Sequence, residues 1–160
     1  TMQSQYHNCP TINGVMQAPG RDFKATEVSC NNTDTAVSFS LDISKAYPDS
    51  AYVKTWKRSF TYRRGKQIEI NDRYTLDKAL KPTRWTFMSY PEPVLKKPGT
   101  IEFKGNSKVL VYSEKLFNVT IEPLTLTDGK LSAEWGNTLY RILLTRKSKT
   151  KSETCTFIIK

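Results

Sequence analysis

The chain has one histidine, His7, set in the segment Tyr6-His7-Asn8-Cys9-Pro10. A single imidazole excludes every mechanism or metal site that takes two histidines from this chain, and no HExxH, GxSxG, P-loop or GxGxxG stretch is present. If the backbone is extended there, His7 and Cys9 fall on the same side, a spacing that could hold one metal ion. Two ligands do not close a tetrahedral zinc site, and the alternative is a hydrogen-bonded surface or core histidine. The three cysteines, Cys9, Cys30 and Cys155, form no CxxC pair, so they spell neither a zinc ribbon nor a disulfide framework and allow at most one bridge.

The second chemical signal is positive charge. Lys and Arg number 25 against 15 Asp and Glu, a formal charge of +10, which draws anionic partners such as nucleic acid, acidic polysaccharide or a membrane surface. The cations cluster at Lys54, Lys57 and Arg58, at Arg63, Arg64 and Lys66, at Lys96 and Lys97, and at Arg146, Lys147, Lys149 and Lys151. The last group reads as a solvated hairpin loop. RNP-type aromatic spacing and a groove-reading helix are both missing, so specific nucleic-acid recognition is not expected. Trp, Tyr and Arg side chains could instead stack on sugar rings and pair with sulfates or carboxylates. The plainer reading puts Trp56, Trp85 and Trp135, all in strand-like surroundings, in the core.

These residues must be carried by strands. The chain has 160 residues, 38% of them hydrophobic and 11% aromatic, enough for one domain with its own core and too apolar for disorder. Mean hydropathy is −0.55, and no apolar run is long enough to span a membrane. Thr1 to Tyr6 show no basic segment followed by an apolar one, so no secretory signal is read there. From Phe23 onward, short β-branched and aromatic runs alternate with period two between turn dipeptides such as Asn13-Gly14, Arg64-Gly65 and Asp128-Gly129. Val37, Phe39, Leu41 and Ile43 share one face of Ala36 to Ile43, and similar alternation recurs in Leu116 to Glu122 and Leu139 to Arg146. The expectation is an all-β antiparallel sandwich with less than about one residue in ten in helix. The one helical turn read from the sequence is Leu76 to Lys81, stopped by Pro82.

One hairpin can be registered. With Arg64, Gly65 and Lys66 as its loop, Tyr62 pairs with Ile68, Phe60 with Ile70, Arg58 with Asp72 and Trp56 with Tyr74. A two-residue turn would set the apolar face of one strand against the polar face of the other, so burial selects the longer loop. This register places an ion pair inside an apolar stripe. Arg58 and Asp72 are therefore expected to be structural, the alternative being an Arg58 open to sugar carboxylates or sulfates.

The segment from Ser4 to Gln17 resembles the S-x-x-H-N-x-x-x-I/V-N/D-G-x-x-Q strand and turn of heparinase II/III-like polysaccharide lyases. Asp42 to Tyr47, Trp56-Lys57-Arg58, Ile68 to Tyr74, Glu134-Trp135-Gly136 and Leu139 to Ile142 resemble the C-terminal β region of the same family, in the same order. The resemblance implies that residues 1–160 are the C-terminal β domain of a longer chain. Such enzymes join an N-terminal α/α toroid to a large antiparallel sandwich and cleave uronate-containing polysaccharides by β-elimination. The toroid's Tyr, Asn and His residues have no counterparts here, so no catalytic residue is assigned to this chain.

By the same resemblance His7 would be one ligand of a structural zinc, with a His and an Asp from strands upstream of Thr1, and the isolated chain is expected to hold none. The implied partners are an acidic polysaccharide and the toroid of the same parent chain, with neither nucleic acid nor membrane among them, and the implied location is periplasmic or secreted. The competing hypothesis is a free-standing carbohydrate-binding sandwich, which calls for a complete sheet and a concave aromatic face within the chain itself. A third, a nucleic-acid-binding β domain, rests on charge alone.

Overall fold

The computed structural model describes residues 3–160. In chain order its strands are β1 (Pro10–Thr11), β2 (Thr26–Asn32), β3 (Ala36–Asp42), β4 (Val53–Arg63), β5 (Gln67–Leu76), β6 (Arg84–Ser89), β7 (Pro93–Lys97), β8 (Thr100–Phe103), β9 (Val109–Val111), β10 (Phe117–Thr125), β11 (Thr138–Arg146) and β12 (Ser152–Ile159). One α-helix, α1 (Gly129–Trp135), and three short 3-10 turns complete the elements. Strands hold 53% and helices 10% of the chain, and the two antiparallel sheets pack as a sandwich, as the period-two patterning implies.

The smaller sheet has the order β1-β6-β11-β10 and the larger β2-β3-β4-β5-β12-β9-β8-β7. Large rings from both layers fill the space between them. Trp56 stacks on its cross-strand neighbour Tyr74 at 4.6 Å and 10°. Trp85, from the smaller sheet, lies 5.5 Å from Trp56 and 5.8 Å from Phe157 of the larger one. Trp56 and Trp85 are both fully buried, so the expectation of core indoles holds for these two.

The β4–β5 hairpin has the register that burial demands. Tyr62 faces Ile68, Phe60 faces Ile70, Arg58 faces Asp72 and Trp56 faces Tyr74. Arg63 and Gln67 close the loop, and Gly65 sits at φ 69°, a left-handed conformation that glycine adopts without steric cost.

Three expectations are corrected. Leu76 belongs to β5, and the chain after it forms no helical turn. The Lys78 carbonyl and the Leu80 and Lys81 amides there bond instead to the side chain of Asn13, so their hydrogen-bonding capacity is spent outside a helical ladder. Trp135 ends α1 rather than lying in a strand, and it is 49% exposed. The Arg146-to-Lys151 connection is not a hairpin, because β11 and β12 belong to different sheets. Arg146 is buried, donating to Glu153 Oε2 at 2.8 Å and to the Leu116 carbonyl, while Lys147, Lys149 and Lys151 are solvated.

Candidate functional site

The segment carrying the most specific sequence pattern is built chiefly to hold itself in place. Ser4 Oγ accepts from Gln17 N at 3.1 Å, tying its two ends. Asn8 Oδ1 accepts from Met88 N, fastening the segment along β6. Asn13 and Gly14 have φ 54° and 82°, and Ile12 and Val15 exchange both backbone bonds around them, the geometry of a tight two-residue turn. The buried Asn13 side chain donates to Ala51 O and Lys78 O and accepts from Leu80 N and Lys81 N. One amide thus satisfies four backbone groups that would otherwise lack partners.

His7 caps the 3-10 turn Ser4–Tyr6 and is exposed. His7 itself is extended, at φ −132° and ψ 166°, but Cys9 N bonds back to His7 O at 2.8 Å, so the chain folds at Asn8 and the unbroken extended segment that would set His7 and Cys9 side by side is absent. Burial pushes the Cys9 thiol up, Arg58 opposes this, and Asp72 adds to it. A thiol so raised is a poor source of the thiolate that metals and nucleophilic chemistry need. Among the described residues no three His, Cys, Asp or Glu side chains come together to hold a metal ion. The residues present do not by themselves fit a zinc site.

Asp72 is fully buried and has four hydrogen bonds. Arg58 grips it with Nε on Oδ1 at 2.7 Å and Nη2 on Oδ2 at 2.6 Å. The indole nitrogens of Trp56 and Trp85 add one bond to each oxygen, at 3.0 and 2.6 Å. The remaining Arg58 amine, Nη1, donates to the Asn8 carbonyl at 2.7 Å. Burial works against the guanidinium charge, yet Asp72 outweighs it and Arg58 is raised. Arg58 therefore does not belong to a solvated patch with Lys54 and Lys57, and nothing in this closed arrangement is open to a substrate. Beside it the Tyr47 hydroxyl, pushed well up chiefly by burial, donates to the Pro10 carbonyl.

The accessible features lie elsewhere. Arg63, Arg64 and Lys66 surround a pocket of about 430 Å³ at the β4–β5 turn. A second, more open cleft of about 480 Å³ lies where Tyr90 and Pro91, the β8–β9 turn and the α1–β11 junction meet. Tyr90, Trp135 and the half-buried Tyr140 supply its rings; Tyr90 is 56% exposed, and its centroid lies 6.3 Å from that of Trp135 with the planes inclined by 60°. Sequence reasoning expects Trp135 in the core, and no pattern in the sequence marks Tyr90. The available signal was Asp128 ahead of a short helix-compatible run that ends in Trp135-Gly136.

Across 98% of its length the chain superposes on heparan sulfate lyase HepC from Pedobacter heparinus, with a TM-score of 0.68 at 11% identity. A mutant of that enzyme gives 0.69 at 10% identity over the same share. The likeness is one of fold. In both cases the chain spans 24% of the lyase's length. No family model and no curated sequence matches the chain. The likeness agrees with the sandwich expected from sequence.

Proposed function

We propose that this chain is the β-sandwich portion of a lyase that cleaves an acidic, uronate-containing polysaccharide by β-elimination. The observation that carries the reading is the end-to-end fold likeness to a heparan sulfate lyase, and the formal charge of +10 suits an anionic polymer. β-Elimination requires that the uronate carboxylate be neutralised, that a base take the neighbouring proton and that an acid reach the departing oxygen. The buried Asp72 cluster offers none of these to a ligand, so proton transfer falls to a partner α/α toroid. The sandwich buttresses that toroid, lines one wall of the cleft and adds positive potential. Such polymers are met in the periplasm or outside the cell, which is where we place the protein.

The purified chain is expected to bind heparan sulfate and to leave it uncut, measured as no new absorbance from the unsaturated product. A longer chain that carries the toroid is expected to cut it. Turnover by the 160-residue chain alone would overturn the division of labour.

Zinc enters this reading through His7 alone, with its other ligands from upstream residues. A longer chain is expected to hold zinc by elemental analysis and to lose it in His7→Ala; equal metal content in both would remove the zinc from the proposal. The second reading, a free-standing carbohydrate-binding sandwich, is favoured by the Tyr90–Trp135 cleft within the chain itself. It predicts that a toroid-bearing parent is not required for any glycan-dependent activity.

A further inference from the structure

We propose that the cleft lined by Tyr90 and Trp135 is a saccharide-binding subsite in which one pyranose ring of the polymer lies on their exposed faces. For the acidic character of that polymer the inference rests on the functional reading above.

The indoles divide sharply. Trp56 and Trp85 are 0% exposed, whereas Trp135 is half in water at the mouth of the cleft. A local device puts it there. None of the residues of α1 is buried, so the helix is not anchored by the core. Its start is capped by Asp128 Oδ1, which accepts from Lys130 N and Leu131 N. Beyond its end the Leu126 amide bonds to the Asn137 carbonyl. Gly136, at φ 72°, makes the turn that follows Trp135, and a Cβ there would lie 3.7 Å from Tyr90 Cε2. The two rings are brought together by this turn, outside the core.

The surroundings suit a sugar. A pyranose has an apolar C–H face and a rim of hydroxyls, and an aromatic ring has the flat apolar surface that such a face covers. Asn106 and Asn137 line the same cleft. Asn106 Oδ1 is taken by Lys108 N at 2.8 Å, which leaves its amide hydrogens for a ligand. Lys104 and Glu92 add an exposed ion pair at 2.7 Å, supplying a cation for a carboxylate or sulfate and an acceptor for hydroxyls. The apolar part of the lining, Tyr90, Pro91, Trp135 and Tyr140, is small and interleaved with polar groups, which suits a small ligand better than a protein interface with its broader apolar centre.

The test uses the full 160-residue chain titrated with a heparan sulfate tetrasaccharide and, separately, with neutral cellotetraose. Because two indoles are buried, Trp135 should dominate any change in tryptophan emission. Binding of the sulfated tetrasaccharide is expected to shift that emission saturably. By calorimetry Trp135→Ala should bind it about tenfold more weakly, Tyr90→Ala should also be weakened, and Trp135→Phe should fall between Trp135→Ala and the parent. All three should lower the melting temperature only slightly, since both rings are about half exposed and lie outside the core.

Undiminished affinity in Trp135→Ala would overturn the subsite and leave the lyase reading intact. Equal binding of cellotetraose, lost in Trp135→Ala, would support the subsite and remove the acidic polymer. Failure of the parent to bind either sugar would overturn the subsite, and a Trp135-dependent rise in sedimenting mass without sugar would do so in favour of self-association.

Discussion

Asp72 of the larger sheet accepts a 2.6 Å hydrogen bond from the indole nitrogen of Trp85 in the smaller one. One carboxylate thus fastens the two layers while it neutralises Arg58 within its own sheet. Removing it would leave a buried cation and two indole N–H groups unpaired. Asp72→Ala is expected to cost ~3–5 kcal/mol, the range for breaking one half of a buried ion pair. Arg58→Ala should cost less, because both indoles still bond to the carboxylate. Thermal unfolding of the two variants checks the order, and Arg58→Ala proving the more damaging would contradict it. Replacing both residues by apolar ones, often neutral for a buried pair, should not restore stability here, since the indole donors stay unpaired.

Asn13 combines a left-handed backbone with four side-chain bonds to main chain. Asn13→Ala should lose about 3 kcal/mol or more through unsatisfied backbone groups and the cost of φ 54° without a side-chain partner. Asn13→Gly loses the same bonds without the strain. Denaturant midpoints should therefore rank wild type above Asn13→Gly and Asn13→Gly above Asn13→Ala.

Alkaline pH should weaken the fold through Cys155. Burial raises its thiol from 9.0 to about 12, so between those values the unfolded chain gives up the proton while the folded chain keeps it. The stabilisation is whole below pH 9 and is lost as pH rises toward about 12. Tyr74 and Tyr47 are shifted in the same direction, mainly by burial. Melting temperature plotted against pH should fall less steeply for Cys155→Ala than for the parent over this window, even though the variant starts lower; parallel slopes would count against the thiol.

All three cysteines are free, with Cys30 exposed, Cys9 half-buried and Cys155 buried. A thiol-reactive dye in native buffer should label Cys30 rapidly and spare Cys155 until denaturant is added. Rapid native labelling of two or more thiols would mean that the Cys9 or Cys155 surroundings open readily.

Heparin and DNA distinguish charge from saccharide recognition. At matched ionic strength the chain should hold heparin to higher salt than duplex DNA, because counterion release acts on both polymers while the ring contacts act on the sugar alone. Identical elution from both would favour charge as the whole of the interaction.

Period-two alternation determined a great deal locally. It gave the all-β class, and the requirement that apolar faces coincide selected the β4–β5 register down to the Arg58–Asp72 pair. These are near-neighbour properties, since a one-residue slip inverts every side chain of a strand. Tertiary structure decided what depends on distant partners. That Asp72 joins the sheets through Trp85, that Asn13 takes up the backbone after β5, and that Arg146 turns inward to Glu153 are contacts no local pattern encodes. Trp135 shows the limit most plainly: its indole is as apolar as those of Trp56 and Trp85. It stands in water because a capped helix and the turn at Gly136 carry it past the edge of the core.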